Sequence, residues 1–331
     1  MKKSTVAAIV AASIVGFGAV GSAFAEGTST SGWADVRYYA IYSPSSGIEG
    51  QFTTWGEVDL IHQVDSQVLR FDLDILNGGG VDGGTAGLGM GAANADPAAA
   101  DTNVNVEQAN LTLPVMDLAN VTLGIWNTPI GYEGQDAPDL PFASNGLLWD
   151  HQPTNHAGGR VDIDASDMVS VTVGYANDWQ GTSEENSIMG VVGVTPIEGL
   201  SGALGYITTE DPAGNLLDLW LEYAQDMFSV YGEYMLGDPD TASDHIDNGW
   251  GIGGEVSQGM FGGAVRYEQA EIESAGTNPE PTETSVALFA NLTDTDRVAV
   301  DWTNQDPDTG ATDMDIVTIQ YLRTFGDDGM M

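Results

Sequence analysis

Residues Val104 to Glu133 read VNVEQANLTLPVMDLANVTLGIWNTPIGYE. In the first half Ala109, Leu111 and Leu113 alternate with Gln108, Asn110 and Thr112, and in the second Val121, Leu123 and Ile125 alternate with Thr122, Gly124 and Trp126. Successive side chains of a strand point to opposite faces, so this is a hairpin, two β-strands around a tight turn, with one apolar and one mostly polar face. A long loop beginning Pro129-Ile130-Gly131-Tyr132-Glu133 follows. One such hairpin would suit many β proteins. The pattern recurs to the C-terminus, and that recurrence decides the fold class: all-β, a transmembrane antiparallel β-barrel lined with polar groups.

The strands nearest the N-terminus carry the strongest residue-level argument. Between Trp33 and Tyr42, Ala34, Val36, Tyr38 and Ala40 oppose Asp35, Arg37 and Tyr39; between Phe52 and Val64, Val58 and Leu60 oppose Glu57 and Asp59. Leu69, Phe71, Leu73 and Ile75 then oppose Arg70, Asp72 and Asp74. Each such charge would cost several kcal/mol inside a dry core, whereas a water-filled lumen accepts it. Further segments follow from Arg160 to Phe325, the sharpest being Leu217, Leu219, Leu221 and Tyr223 around Asp218, Trp220 and Glu222. The count is about sixteen strands, an even number as in single-chain outer-membrane barrels. A barrel of that size leaves an aqueous channel.

Connection lengths give an independent test. Those after even-numbered strands are short, as at Asp65-Ser66 and 225–227, and those after odd-numbered strands are mostly long, as at 77–103, 129–155 and 237–248. Short periplasmic turns and long external loops are sorted in this way in outer-membrane barrels. Trp302, Tyr267, Trp250, Tyr223, Phe228 and Phe261 fall near strand ends with apolar-face parity, where interfacial girdles belong.

Residues 1–25 have Lys2 and Lys3, an uncharged run from Val6 to Val20 and Ala23-Phe24-Ala25 before Glu26, the organisation of a cleaved signal peptide. The barrel then occupies 26–331, and the expected location is the outer membrane. Without the two lysines, six arginines face 49 acids, a formal charge of −43. Such a balance excludes a nucleic-acid binder, which needs a basic footprint. It suits a surface in high salt, where charge repulsion is screened within about 3 Å at molar ionic strength, so a halophilic source is expected. There is no cysteine to staple the fold. No nucleophile constellation nominates an enzyme, and no cofactor is implied.

Val106-Glu107-Gln108-Ala109, Leu111-Thr112-Leu113-Pro114, Leu123-Gly124 and Asn127-Thr128-Pro129-Ile130-Gly131-Tyr132-Glu133 resemble the core motif of the putative β-barrel porin-2 family, the OmpL-like porins. Gln152-Pro153, His156-Ala157-Gly158-Gly159-Arg160 and Val173-Gly174-Tyr175-Ala176-Asn177-Asp178-Trp179 continue the resemblance, whereas Ala143 to Trp149 lacks the basic group often found there. The resemblance implies a diffusion porin, with outer-membrane lipid, ions and small hydrophilic solutes as partners and a homotrimer as the assembly. It also implies that loop 129–155 folds into the lumen, where Glu133, Asp136 and Asp139 would line a constriction; an external acidic loop is the other reading.

Arg37, Arg70, Arg160, Arg266 and Arg297 have polar-face parity. Either they form a basic arc facing the acidic loop and set a transverse field, or each pairs with a strand carboxylate such as Asp72, Glu268 or Asp301. The excess of acids predicts cation preference. A structural or adhesive barrel with a closed lumen is the alternative function. Asp306, Asp308 and Asp313 around Gly310 resemble a calcium loop without the closing glutamate of an EF-hand, a weak metal motif.

Overall fold

The computed structural model describes residues 27–44, 47–77, 102–177, 186–209, 214–238, 245–273, 278–308 and 313–326. The signal-peptide expectation for residues 1–25 lies outside these. The strands are β1 Thr28–Ser43, β2 Gly47–Val64, β3 Gln67–Asn77, β4 Thr102–Met116, β5 Ala119–Asn127, β6 Asn155–Ser166, β7 Val169–Asn177 and β8 Asn186–Ile197. They continue as β9 Leu200–Thr209, β10 Asn215–Gln225, β11 Phe228–Asp238, β12 His245–Gln258, β13 Phe261–Glu273, β14 Thr282–Asn291, β15 Asp296–Asp306 and β16 Met314–Gly326. Neighbours in sequence pair antiparallel, and β16 closes the sixteen-stranded barrel on β1 with Arg37 opposite Gln320. Closure leaves no edge strand with unpaired backbone groups, which hydrocarbon could not solvate.

The connections sort by length. Asp65-Ser66, Asp117-Leu118, Asp167-Met168, Glu198-Gly199, Asp226-Met227 and Gly259-Met260 each form a two-residue turn at one end, where 292–295 is the longer exception. Asp65, Asp226, Gly199 and Gly259 adopt left-handed φ values of 53°, 46°, 78° and 64°, the conformation tight hairpins demand and which Gly and Asp tolerate best. The other end has the long connections, 128–154 among them, with 44–46 the short exception.

The wall is inverted relative to a soluble protein. Along β14, Glu283, Ser285 and Ala287 are buried inside while Val286 and Leu288 face out, Leu288 being 68% exposed. The same parity buries Asp35 and Arg37 on β1, Glu57 and Asp59 on β2, Asp72 and Asp74 on β3 and Asp301 on β15. Large exposed apolar residues occur all round the barrel, far beyond the patch a soluble monomer carries. Only a hydrocarbon surround removes that area from water, at about 25 cal/mol per Å². Trp250 and Trp302 are exposed towards the long-loop end, and Phe228 and Phe261 sit beside the two-residue turns. The ring pairs Trp250–Tyr267, at 5.4 Å, and Tyr223–Phe228, at 6.0 Å, lie at the levels where interfacial belts form.

Local differences from the alternation have physical reasons. A bulge against β3 turns both Glu107 and Gln108 of β4 inward, and the extra residue shifts the alternation by one, so Val104 and Val106 face out before it and Gln108 and Asn110 face in after it. The β6 strand begins at Asn155, not Arg160. Its opening His156-Ala157-Gly158-Gly159 lacks alternation because β7 comes close: a Cβ on Gly158 would lie 2.2 Å from the Tyr175 carbonyl oxygen. The interior is also not uniformly polar. Met189, Val191, Ala203, Ile207, Leu216, Met235, Ile246 and Ala270 point inward and form one apolar cluster with Trp126, Ile130 and Leu148.

Candidate functional site

That cluster is where the loop after β5 enters the barrel. Two 3₁₀ turns, Ala137–Asp139 and Trp149–His151, are its only regular structure among the described residues. Three apolar feet hold the loop: Ile130 and Leu148 in the large cluster, Ala137 against Trp33, Trp55 and Leu322, and Phe142 against Ala264 and Ala287. Wall glycines make room for them. A Cβ on Gly205 would meet Ile130 at 3.0 Å and one on Gly249 would meet Leu148 at 2.6 Å.

Polar contacts from the wall satisfy the loop backbone. Gly131 N–H donates to Asp218 Oδ1 at 3.2 Å, Tyr132 N–H to Glu233 Oε1 at 2.8 Å, Ala143 N–H to Asp301 Oδ2 at 2.8 Å and Leu148 N–H to Glu268 Oε2 at 3.4 Å. A loop buried inside a barrel has no ladder partner, so inward carboxylates take the place of a neighbouring strand. Gly131 turns the chain at φ +98°, with Gln152 packed where its Cβ would be.

Glu133 is buried and ion-paired to Arg266 of β13, and its Oε2 also accepts Gly146 N–H at 2.7 Å. Arg266 is 2% exposed; it pairs as well with Glu283 at 2.8 Å, lies 3.8 Å from Glu268 and stands 4.5 Å over the Phe142 ring. Asp136 lies on the far side of the loop near Glu57, Asp59 and Arg70. Burial, then the charges of Asp139 and Asp59, push its carboxyl up to about 6, against a hydrogen bond with Glu57 and the charge of Arg70. Asp139 is exposed and lines a cavity of about 440 Å³ with Tyr132, Phe142, Trp220, Glu222, Tyr231 and Glu255. There Tyr132 stacks on Tyr231 at 3.8 Å and donates its hydroxyl to Glu222 at 3.0 Å; burial and that carboxylate push the Tyr132 phenol up.

The other arginines expected at the site are spread around the wall. Arg37 binds Asp35 at 2.5 Å, Arg70 binds Asp72 at 2.6 Å and Asp59 at 3.6 Å, and Arg160 binds Asp162 at 3.0 Å. Each pair includes a residue two positions away on the same strand, the spacing that keeps both on one face. Arg297 donates to the Ala137 carbonyl at 3.3 Å and to Gln320 at 3.5 Å. Asp301 takes a loop amide, not an arginine. Asp308 accepts Glu280 N–H at 3.1 Å and donates its own N–H to Asp306 Oδ1 at 3.0 Å. Asp313 is exposed, and Gly310 lies outside the described residues. Among the described residues, carboxylates close enough to share an ion are instead Glu57, Asp59, Asp72, Asp74 and Glu107. Glu268 was named from the sequence as a partner for an arginine and lies 3.8 Å from Arg266, but the anchors Asp218, Glu233 and Glu283 were absent from the sequence-based candidates; their signal was inward parity.

The family model described as putative beta-barrel porin-2, OmpL-like, matches residues 53–273. The chain belongs to that family. No curated protein matches the sequence. Solved outer-membrane channels share the porin's fold at low identity. Pseudomonas putida OprB at high pH superposes with a TM-score of 0.70 at 10% identity, covering 90% of this chain and 94% of that one. OmpF of Salmonella typhi, in complex with daunomycin, gives 0.63 at 11% identity, covering 91% and 99%. An anion-selective porin from Comamonas acidovorans gives 0.62 at 13% identity, covering 90% and 99%. These likenesses show the fold alone. With the family they support a general porin channel of the outer membrane.

Proposed function

We propose that this porin is a passive, cation-preferring diffusion channel for ions and small hydrophilic solutes, with loop 128–154 as its constriction. The observation that carries the reading is an imbalance of charge around the loop. Arg37, Arg70, Arg160 and Arg266 are held by carboxylates, whereas Asp139, Glu222 and Glu255 line the cavity beside the loop. Paired arginines contribute little net field across a water-filled passage, and carboxylates in the passage favour cations. The Arg266–Glu133 pair acts as the clasp that holds the loop across the lumen. The apolar cluster favours the second reading, a structural barrel with a closed lumen, because it fills part of the interior.

Planar-bilayer recording under a potassium chloride gradient separates the readings. The channel reading expects discrete conductance steps and a reversal potential of potassium sign, reduced in a Glu222→Gln/Glu255→Gln variant. Absence of steps supports the closed barrel, and a chloride-signed potential rejects the cation preference. We further propose export with removal of residues 1–25, insertion in outer-membrane lipid as a homotrimer, and a carboxylate-rich coat adapted to high salt.

A further inference from the structure

We propose that Glu57, Asp74 and Glu107, closed by Asp136 of the loop, form a binding site for a hard divalent cation such as calcium that fastens the loop to the β2–β4 wall. One carboxylate oxygen from each of the three wall residues lies within 4.8 Å of the others. All three residues are buried, at 1%, 2% and 0% exposure. Their hydrogen-bond donors are few: Trp55 Nε1–H reaches Asp74 at 3.0 Å and Asn127 Nδ2–H reaches Glu107 at 2.6 Å. Arg70, the cation nearby, is engaged by Asp72 and Asp59.

What marks this as more than an acidic cluster is a set of buried oxygens that no N–H or hydroxyl serves. Among the described residues Glu57 Oε2 and Glu107 Oε2 are enclosed without such a donor, and so is Asp136 Oδ1 from the loop side; what Glu57 meets are other carboxyl groups. The polar neighbours of Glu57 on the wall are themselves carboxylates, Asp59 and Glu107. Buried like charges at this separation must be relieved by a proton or by a cation. One proton satisfies one pair of oxygens; three wall carboxylates and a fourth on the loop converge from four chain segments. The β4 bulge turns Glu107 and Gln108 inward together, so Glu107 joins the trio while Gln108 Nε2–H serves Asp72 at 2.5 Å.

The donor set selects the class of ion. Carboxylate oxygens alone, with no imidazole or thiolate among them, suit a hard cation, and calcium accepts several carboxylates in a flexible shell where magnesium keeps most of its waters. Bound there, the ion would hold the loop at Asp136, opposite the Arg266–Glu133 clasp. The site rests on this geometry alone, independently of whether the barrel conducts.

Trp55 supplies a built-in reporter, because its indole nitrogen touches the ligand Asp74. Terbium added to the full barrel in detergent after chelator treatment should give indole-sensitised luminescence that saturates and is displaced by calcium. Glu57→Gln and Glu107→Gln should abolish the saturable component, and Asp308→Asn should leave it intact. Calcium should raise the unfolding temperature of the parent protein and not that of Glu107→Gln. If the carboxylate variants do not assemble, Trp33→Phe/Trp55→Phe decides, since Trp33 packs 4.7 Å from Trp55 and shares its view of the site: it should lose the emission and keep the calcium-dependent thermal shift. Emission that persists in the double variant would come from carboxylates elsewhere and overturn the proposal. So would Glu57→Gln or Glu107→Gln with an unchanged calcium response, the result expected if protons alone neutralise the cluster.

Discussion

Replacing Arg266 with alanine tests whether a single clasp holds the loop across the lumen. The guanidinium is 2% exposed and stands among Glu133, Glu283 and Glu268, so one positive charge already serves three carboxyl groups. The variant leaves all three carboxylates without a counter-ion and removes the face over Phe142. Breaking a buried pair by deleting one partner costs about 3–5 kcal/mol, because the stranded charge stays desolvated. At about 1.4 kcal/mol per factor of ten, the docked state of the loop loses roughly two to three and a half orders of magnitude relative to the undocked state. The barrel itself, closed by sixteen paired strands, should still form. Single-channel recording should then find larger, noisier conductance steps than in the parent protein, and limited proteolysis should cut within 128–154. Arg266→Ala/Glu133→Gln should recover part of the docking by removing one stranded charge. An Arg266→Ala protein with parental conductance and a protease-resistant loop would refute the reasoning.

Other perturbations address separate parts of the account. Gly131→Ala places a Cβ at a left-handed φ and within 1.8 Å of the Gln152 side chain; it should weaken loop docking by about 1 kcal/mol or more, read as earlier proteolysis of the loop on warming. Val265→Arg, on the outward face of β13, should lower barrel stability by about 2–4 kcal/mol in a lipid-vesicle refolding titration if that position lies near mid-membrane. With a formal charge of −41 on the whole chain, the protein should lose thermal stability as potassium chloride is diluted from molar to millimolar, and a flat melting temperature across that range would remove the argument for a high-salt surface.

The strand count was legible because a barrel writes its two solvents into alternate residues: Leu69, Phe71 and Leu73 against Arg70, Asp72 and Asp74 admit few other readings. Strand ends were less so. His156-Ala157-Gly158-Gly159 looks like loop because glycine there serves a close backbone approach, which has no hydropathy signature. On β8 both faces are apolar, Ile188 and Val192 outside and Met189 and Val191 inside, so parity could not reveal that the inner pair meets the loop. The acidic loop residues Glu133, Asp136 and Asp139 were visible as candidates, but not their separate surroundings. Which of them meets Arg266, which meets the β2–β3 carboxylates and which stays open depends on contacts more than a hundred residues apart in the first case. The Glu57–Asp74–Glu107 grouping was hidden for a similar reason: its members belong to three strands, two of them joined by a long connection, and the bulge that aims Glu107 inward reads as two polar residues in a row.

The central claim is that water lies inside this cylinder and hydrocarbon outside. The protein has no cysteine of its own, so single cysteines can be placed at successive positions on β7, Ser170, Val171, Thr172 and Val173, away from the loop contacts, and their reaction with a charged, water-soluble thiol reagent compared in lipid vesicles. The account predicts faster labelling at positions 170 and 172 than at 171 and 173, with the order reversed for a reagent dissolved in the membrane. Equal labelling along the strand, or the opposite alternation, would contradict it.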